Sequence, residues 1–165
     1  AWGAVDGEPT DAPGTVVLGL DPSGRATWRT ALAGDPNRPG RLAWAPDRLV
    51  WLGAAGPGAA WVELDPADGA VRAERPLDLP ACAPLLGIAP TADGGLLLAR
   101  AHCDASAVAA VTRWGSDGAE GWTERLAGVG DRLEVAGLTV VDDTPQLWGR
   151  FTGPDGVAGH ATLAP

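Results

Sequence analysis

The chain has 165 residues, a net charge of −9 and a pI near 4.5, and all 12 of its cations are Arg. No basic run occurs, which excludes the clustered cations that nucleic acid or an anionic membrane surface requires. Gly (24) and Pro (15) are abundant enough for disorder, but 45% hydrophobic residues and eight Trp demand a packed core, so a turn-rich fold of short elements is expected.

Four kinds of short extended run, a to d, recur along the chain. A d-like Ala1-Trp2-Gly3 comes first. The first set is then a at Thr15–Leu20, b at Ala26–Leu32, c at Arg41–Ala45 and d at Leu49–Ala54. The second is Ala59–Leu64, Ala70–Leu77, Leu85–Ala89 and Leu96–Ala101. The third is Val108–Trp114, Ala119–Leu126, Glu134–Val141 and Leu147–Phe151, after which Thr162–Pro165 opens another a run. Turn chemistry separates the runs: Asp21-Pro-Ser-Gly24 pre-sets φ with Pro and supplies Gly behind it, and Ala92-Asp-Gly-Gly95 and Asp142-Asp-Thr-Pro145 punctuate c from d. No Gly- and Pro-free window of ten or more residues carries a helical apolar stripe, and Leu126–Leu138, the nearest to one, is broken by Gly128, Gly130 and Gly137. No apolar stretch reaches the roughly 18–20 residues of a membrane-spanning helix, and no signal peptide is visible.

Self-comparison fixes the period. Gly24, Gly69 and Gly118 stand 45 and 49 residues apart, and Leu32, Leu77 and Leu126 keep those spacings. Trp28 and Trp122 align, with Ala73 between them, while Trp2, Trp51 and Trp148 are 49 and 97 apart, one and two periods. The runs are apolar on both faces, as in Thr15-Val-Val-Leu-Gly-Leu20, so each sheet is expected to be sandwiched between others. The fold class expected is all-β: four-stranded antiparallel blades of a β-propeller, about three and a half of them, in one repeat region spanning residues 1–165. The units run approximately over 14–55, 56–104 and 105–153, with partial units at 1–13 and 154–165. A β-sandwich explains the strands but not the period. A chain of this length reads as a partial propeller or arc, a fragment or a subunit completed by other chains.

The succession Gly87-Ile-Ala-Pro-Thr-Ala-Asp-Gly-Gly-Leu-Leu-Leu-Ala-Arg100, Val108-Ala-Ala-Val-Thr-Arg-Trp-Gly-Ser-Asp-Gly118 and Trp122-Thr-Glu-Arg-Leu-Ala-Gly128 resembles the seven-bladed-propeller-type repeat of bacterial surface and secreted proteins. Leu64-Asp-Pro-Ala-Asp-Gly69 is more distantly similar to quinoprotein repeats. The resemblance implies a bacterial, extracytoplasmic protein (periplasmic, cell-surface or secreted), a setting that the GC-rich residue usage and a disulfide both suit. Quinoprotein repeats place Thr before the turn Gly, where this chain has Ser23, Asp68 and Asp117, so no cofactor is expected.

Chemistry-bearing residues are few. Cys82 follows a b run and Cys103 a d run, which places both at the same end of a blade. A disulfide between them is expected, with unpaired structural thiols, or a metal-binding or reactive thiol, as the alternatives. His102-Cys103-Asp104 groups a base, a thiol and a carboxylate, but neighbours on a strand point to opposite sides, so it reads as a loop with a structural Cys. His160 is isolated. Ser23, Ser106 and Ser116 lack a nucleophile elbow, and no zinc, EF-hand or phosphate-cradling pattern occurs. Asp142-Asp143 and the turn aspartates offer weak calcium ligands, though turn Asp ordinarily bonds its own backbone. Trp28, Trp44, Trp51, Trp61, Trp122 and Trp148 read as strand core or blade interface, with sugar stacking by one or two of them as the alternative. No catalytic, cofactor or metal residue is assigned. Gly24, Gly69, Gly118, Trp28, Trp122, Trp51 and Trp148 are structural repeat anchors. The function expected is a non-catalytic scaffold or assembly subunit that binds protein partners through the b–c and d–a loops: Ala33–Gly40, Asp78–Pro84, Ala101–Ala107, Gly128–Leu133 and Gly153–Gly156. A propeller enzyme or glycan-binding domain is the competing class.

Overall fold

The computed structural model describes residues 14–35, 38, 40–55, 58–79, 84–101, 109–126, 132–141, 144–152 and 160–162. Within them the chain is all-β. Sheet I joins β1 (Gly14–Leu20) and β2 (Ala26–Ala33). Sheet II is the meander β3 (Arg41–Ala45), β4 (Arg48–Ala55), β5 (Gly58–Leu64) and β6 (Val71–Leu77). Sheet III repeats it with β7 (Leu85–Pro90), β8 (Leu96–Ala101), β9 (Ala109–Trp114) and β10 (Glu120–Leu126). Sheet IV holds β11 (Arg132–Val141), β12 (Thr144–Thr152) and β13 (His160–Thr162). All pairings are antiparallel.

The hydrogen-bonded unit therefore runs c–d–a–b. The sheets part between b and c, so repeat boundaries near residues 55, 104 and 153 fall between d and a, inside sheets II, III and IV. Periodicity gives the length of a repeat but not its phase, because the b–c and d–a connections look alike in sequence.

The sheets stack face to face in chain order, with one apolar cluster at each junction. Val17 and Leu32 of sheet I meet Leu49, Trp51, Ala60, Val62 and Leu64 of sheet II. The other face of sheet II, carrying Val50, Leu52, Ala59, Trp61 and Leu77, packs on Ile88, Leu96, Leu98 and Trp114 of sheet III. Sheet III then presents Leu97, Ala99, Ala109 and Val111 to Leu138 and Leu147 of sheet IV. Sheets II and III are thus covered on both faces. Their middle strands β4, β5, β8 and β9 are buried almost throughout, whereas the outer β6 alternates between exposed and less exposed positions.

The stack is tightest along one edge. Neighbouring sheets approach most closely through β3, β7 and β11, the first strand of each meander. Both β7 and β11 carry a bulge there, between Leu85 and Gly87 and between Val135 and Gly137. A Cβ on Gly87 would lie 3.2 Å from the Leu138 Cβ and 3.3 Å from its backbone N, so glycine is what lets β7 come this near to β11. Arg41 braces the same edge by donating Nε and Nη2 to the Leu85 carbonyl at 3.2 and 3.1 Å.

The a–b turns are built alike. Gly24, Gly69 and Gly118 have φ of 83°, 73° and 81°, the left-handed region that glycine enters without steric cost; Gly94, in the β7–β8 turn, has 88°. An aspartate caps each turn from within, its Oδ1 accepting turn N–H groups. Asp21 takes those of Ser23 and Arg25, Asp65 that of Ala67, Asp68 that of Ala70, and Asp117 that of Ala119.

Candidate functional site

A groove of about 590 Å³ opens at the end of the stack formed by the c–d hairpins. The close ends of β3, β7 and β11 line it with Trp44, Pro90 and Val140, joined by the β3–β4 turn (Pro46, Asp47), Arg48, Thr91 and Ala92. A second cleft of about 450 Å³ continues between sheets III and IV. It shares Thr91, Ala92 and Val140 with the groove and adds Asp93, Leu97, Arg113, Trp122 and Pro145.

Strand register explains how these side chains arrive. Trp44, Pro90 and Val140 pair with Leu49, Leu96 and Pro145 at equivalent places next to their hairpins, so three residues far apart in sequence meet at one mouth. Trp44 is 66% exposed, the most exposed of the large apolar side chains described. Arg48 bridges sheets II and III by donating Nη2 to the Thr91 carbonyl at 3.4 Å, while its buried Nε has no partner among the described residues. Asp47 projects into solvent beside it. Together they give the groove an aromatic surface, an exposed carboxylate 3.8 Å from the Arg48 Nη1, and that guanidinium.

In the second cleft Arg113 pairs with Asp93. The Thr91 hydroxyl, 2.5 Å from Asp93 Oδ1, most strongly lowers the Asp93 pKa; the Gly95 N–H and Arg113 assist. Asp21 is likewise lowered, chiefly by Ser23, and Asp65 by the Ala67 N–H and then by Arg72. All three shifts favour the carboxylate form, the direction of turn-holding groups and not of proton donors. Among the described residues no three His, Cys, Asp or Glu side chains gather as a metal site would need.

The repeat anchors fall in distinct places. Trp28 and Trp122 occupy equivalent positions on β2 and β10, half-buried and turned toward the following sheet. Trp28 lies over the turn of sheet II, donating Nε1–H to the Pro66 carbonyl at 3.2 Å, while Thr30 donates to the Gly69 carbonyl at 2.6 Å. Where Ala73 replaces Trp in the middle repeat, Arg75 does similar work. It sits 4.9 Å from the Trp61 ring centroid, pairs with Glu63 at 3.1 Å and reaches the Gly118 turn of sheet III.

Trp51 and Trp148 share a period but not a position. Trp51 pairs with Val62 and faces sheet I, whereas Leu147, not Trp148, packs on sheet III. Trp148 lies one residue on and points outward over Gly137, its cross-strand partner.

Cys82, Cys103, His102, Asp104, Asp142, Asp143, Ser106, Trp2 and most of the b–c and d–a loop residues lie outside the described residues. The residues flanking the two Cys segments are joined: Ala101 donates its N–H to the Pro84 carbonyl at 3.0 Å. His160 begins β13, and Ser23 and Ser116 sit in hairpin turns. The groove itself is not signalled in the sequence, because its lining comes from three strand ends 46 and 50 residues apart (44, 90 and 140) and not from a long loop.

No protein-family model and no curated protein matches the chain.

Proposed function

We propose that the chain is a non-catalytic part of a β-propeller, working outside the bacterial cytoplasm as a protein-binding scaffold or assembly subunit. The observation that carries this is the wedge-like stack. Antiparallel meanders, apolar on both faces, follow one another in chain order and converge along their first strands, as blades do about an axis. In that reading the groove at the ends of β3, β7 and β11 is one mouth of the central channel, and the loops of the opposite end vary around a fixed frame. The lowered pKa of Asp93, held down chiefly by the Thr91 hydroxyl, fits a carboxylate that holds its turn better than a general acid.

Exposure of Trp44 in a groove with Asp47, Arg48 and Thr91 favours one second reading, a glycan-binding surface, because sugar rings stack on indole faces. Tryptophan fluorescence titrated with a panel of glycans and a quinone cofactor separates the two. The scaffold reading expects no saturable quenching by any of them. Quenching by a glycan that disappears in Trp44→Ala establishes the second reading, and turnover of an aryl glycoside lost in Asp93→Asn sinks both.

The extracytoplasmic setting includes a Cys82–Cys103 disulfide, supported by the hydrogen bond that ties Pro84 to Ala101. Thiol titration of unfolded, unreduced protein should find no free thiol; two titratable thiols per chain would remove this part of the proposal.

A further inference from the structure

The three internal junctions follow one rule. On β5, Ala60, Val62 and Leu64 face the preceding sheet while Trp61 faces the following one; on β9, Trp114 faces the preceding sheet and Val111 the following. Aligning Asp21-Pro22 with Asp65-Pro66 puts Val16, Leu18 and Leu20 at the positions of Ala60, Val62 and Leu64. The latter are 4%, 2% and 0% exposed, but Val16, Leu18 and Leu20 are 42%, 37% and 60% exposed, since among the described residues no sheet precedes sheet I. At the other end Leu138 and Leu147 face sheet III, so alternation turns Val141 and Trp148 outward, at 43% and 42% exposed.

We infer that these two outward faces are the halves of one more junction of the same kind, and that a second copy of this chain, bound head to tail, fills it. Val141 and Trp148 of each copy then meet Val16, Leu18 and Leu20 of the other. The inference rests on the propeller reading and names the partner that completes it. Continuity with the internal junctions selects the partner: a following face packs on a preceding face three times within the chain, and the two remaining faces are one of each. The described residues do not close on themselves, because both faces are exposed. Two copies bring eight of the described sheets, within the four to eight blades of typical rings, whereas three would bring twelve. Arg29, paired with Leu18, is no obstacle. It takes the place of Glu74, which pairs with Val62 and stays exposed at the rim of the sheet I–II junction.

Light scattering and native mass spectrometry of the 165-residue chain test this. The expected species is a dimer of twice 16.7 kDa. Leu18→Arg and Trp148→Arg should each weaken it by about tenfold or more, as loss of a central interface anchor does. Mixing the two variants should restore the dimer, because one of its two junctions is then unaltered on both sides. A wild-type monomer, an open ladder of larger species, or mixing that restores nothing overturns the head-to-tail pair. Hydrogen exchange distinguishes the causes of such a failure. Protected β4, β5, β8 and β9 in a monomer remove the second copy alone, and unprotected middle strands remove the propeller reading as well.

Discussion

Replacing Trp61 with Ala is expected to lower folding stability by about 3–5 kcal/mol, the range for removing a large aromatic from a packed core. Trp61 is 0% exposed and stands on β5 within the cluster between sheets II and III, beside Val50, Leu52, Leu96, Leu98 and Trp114. A domain of ordinary stability holds only about 5–15 kcal/mol in total, so the variant should lie close to unfolding. The loss has two parts. One is the apolar transfer free energy of the indole, and the other is a cavity between two sheets whose backbones are held apart by their remaining side chains. The Arg75 guanidinium, stacked on the ring, loses a contact worth roughly 0.5–1 kcal/mol.

Trp61→Phe makes the prediction sharper. The buried Trp61 Nε1 has no hydrogen-bond partner among the described residues, so Phe removes volume and an unsatisfied donor together. It should cost about 1–2 kcal/mol, well below Ala. Urea denaturation of the three proteins checks both numbers. An Ala variant within about 1 kcal/mol of wild type would mean that sheets II and III do not pack through Trp61. Hydrogen exchange adds a spatial readout: in a stack where each sheet touches only its neighbours, protection should fall first in β4, β5, β8 and β9.

The turns were the most legible part of the chain. Gly24, Gly69 and Gly118 announce themselves because a positive φ admits few residues, and the Asp beside each is there to accept backbone N–H groups. The all-β class followed from the same punctuation, since no interval between breakers is long enough for an amphipathic helix. Phase was not legible: the sheets part between Ala33 and Arg41 and between Leu77 and Leu85, connections no more distinctive in composition than the d–a ones. Nor was the face of Trp148. Aligning Trp with Trp matches the period, but a one-residue slip in a strand reverses the side a residue faces, and Leu147 holds the inward place. The groove was illegible for a related reason: Trp44, Pro90 and Val140 converge only once the first strands of three sheets lie side by side, and no long loop marks them.

Those same turns yield a graded test of how the sheets interlock. Gly24→Ala should cost about 1 kcal/mol, the strain of an L side chain at φ of 83° and nothing more, because no atom lies within 4 Å of where its Cβ would be. Gly118→Ala adds a 3.3 Å contact with the Arg75 Cδ, the middle of a flexible chain that swings aside, so it should fall close to Gly24→Ala. Gly69→Ala is different. Its Cβ would lie 2.4 Å from the Trp28 Cε3 and 2.6 Å from the Thr30 Oγ1, both held by hydrogen bonds to the very turn in question. Strain and overpacking together should cost about 2–4 kcal/mol. The excess belongs to the junction between sheets I and II, so the share due to the indole should be relieved when Trp28 is truncated, while the Thr30 contact remains. In a double-mutant cycle, Trp28→Ala with Gly69→Ala should be more stable than the sum of the single losses by about 1–2 kcal/mol. Denaturant midpoints of the four proteins measure it. If Gly69→Ala matches Gly24→Ala within about 0.5 kcal/mol, Trp28 does not rest on this turn, and sheet I is not keyed to sheet II in the way the junction requires.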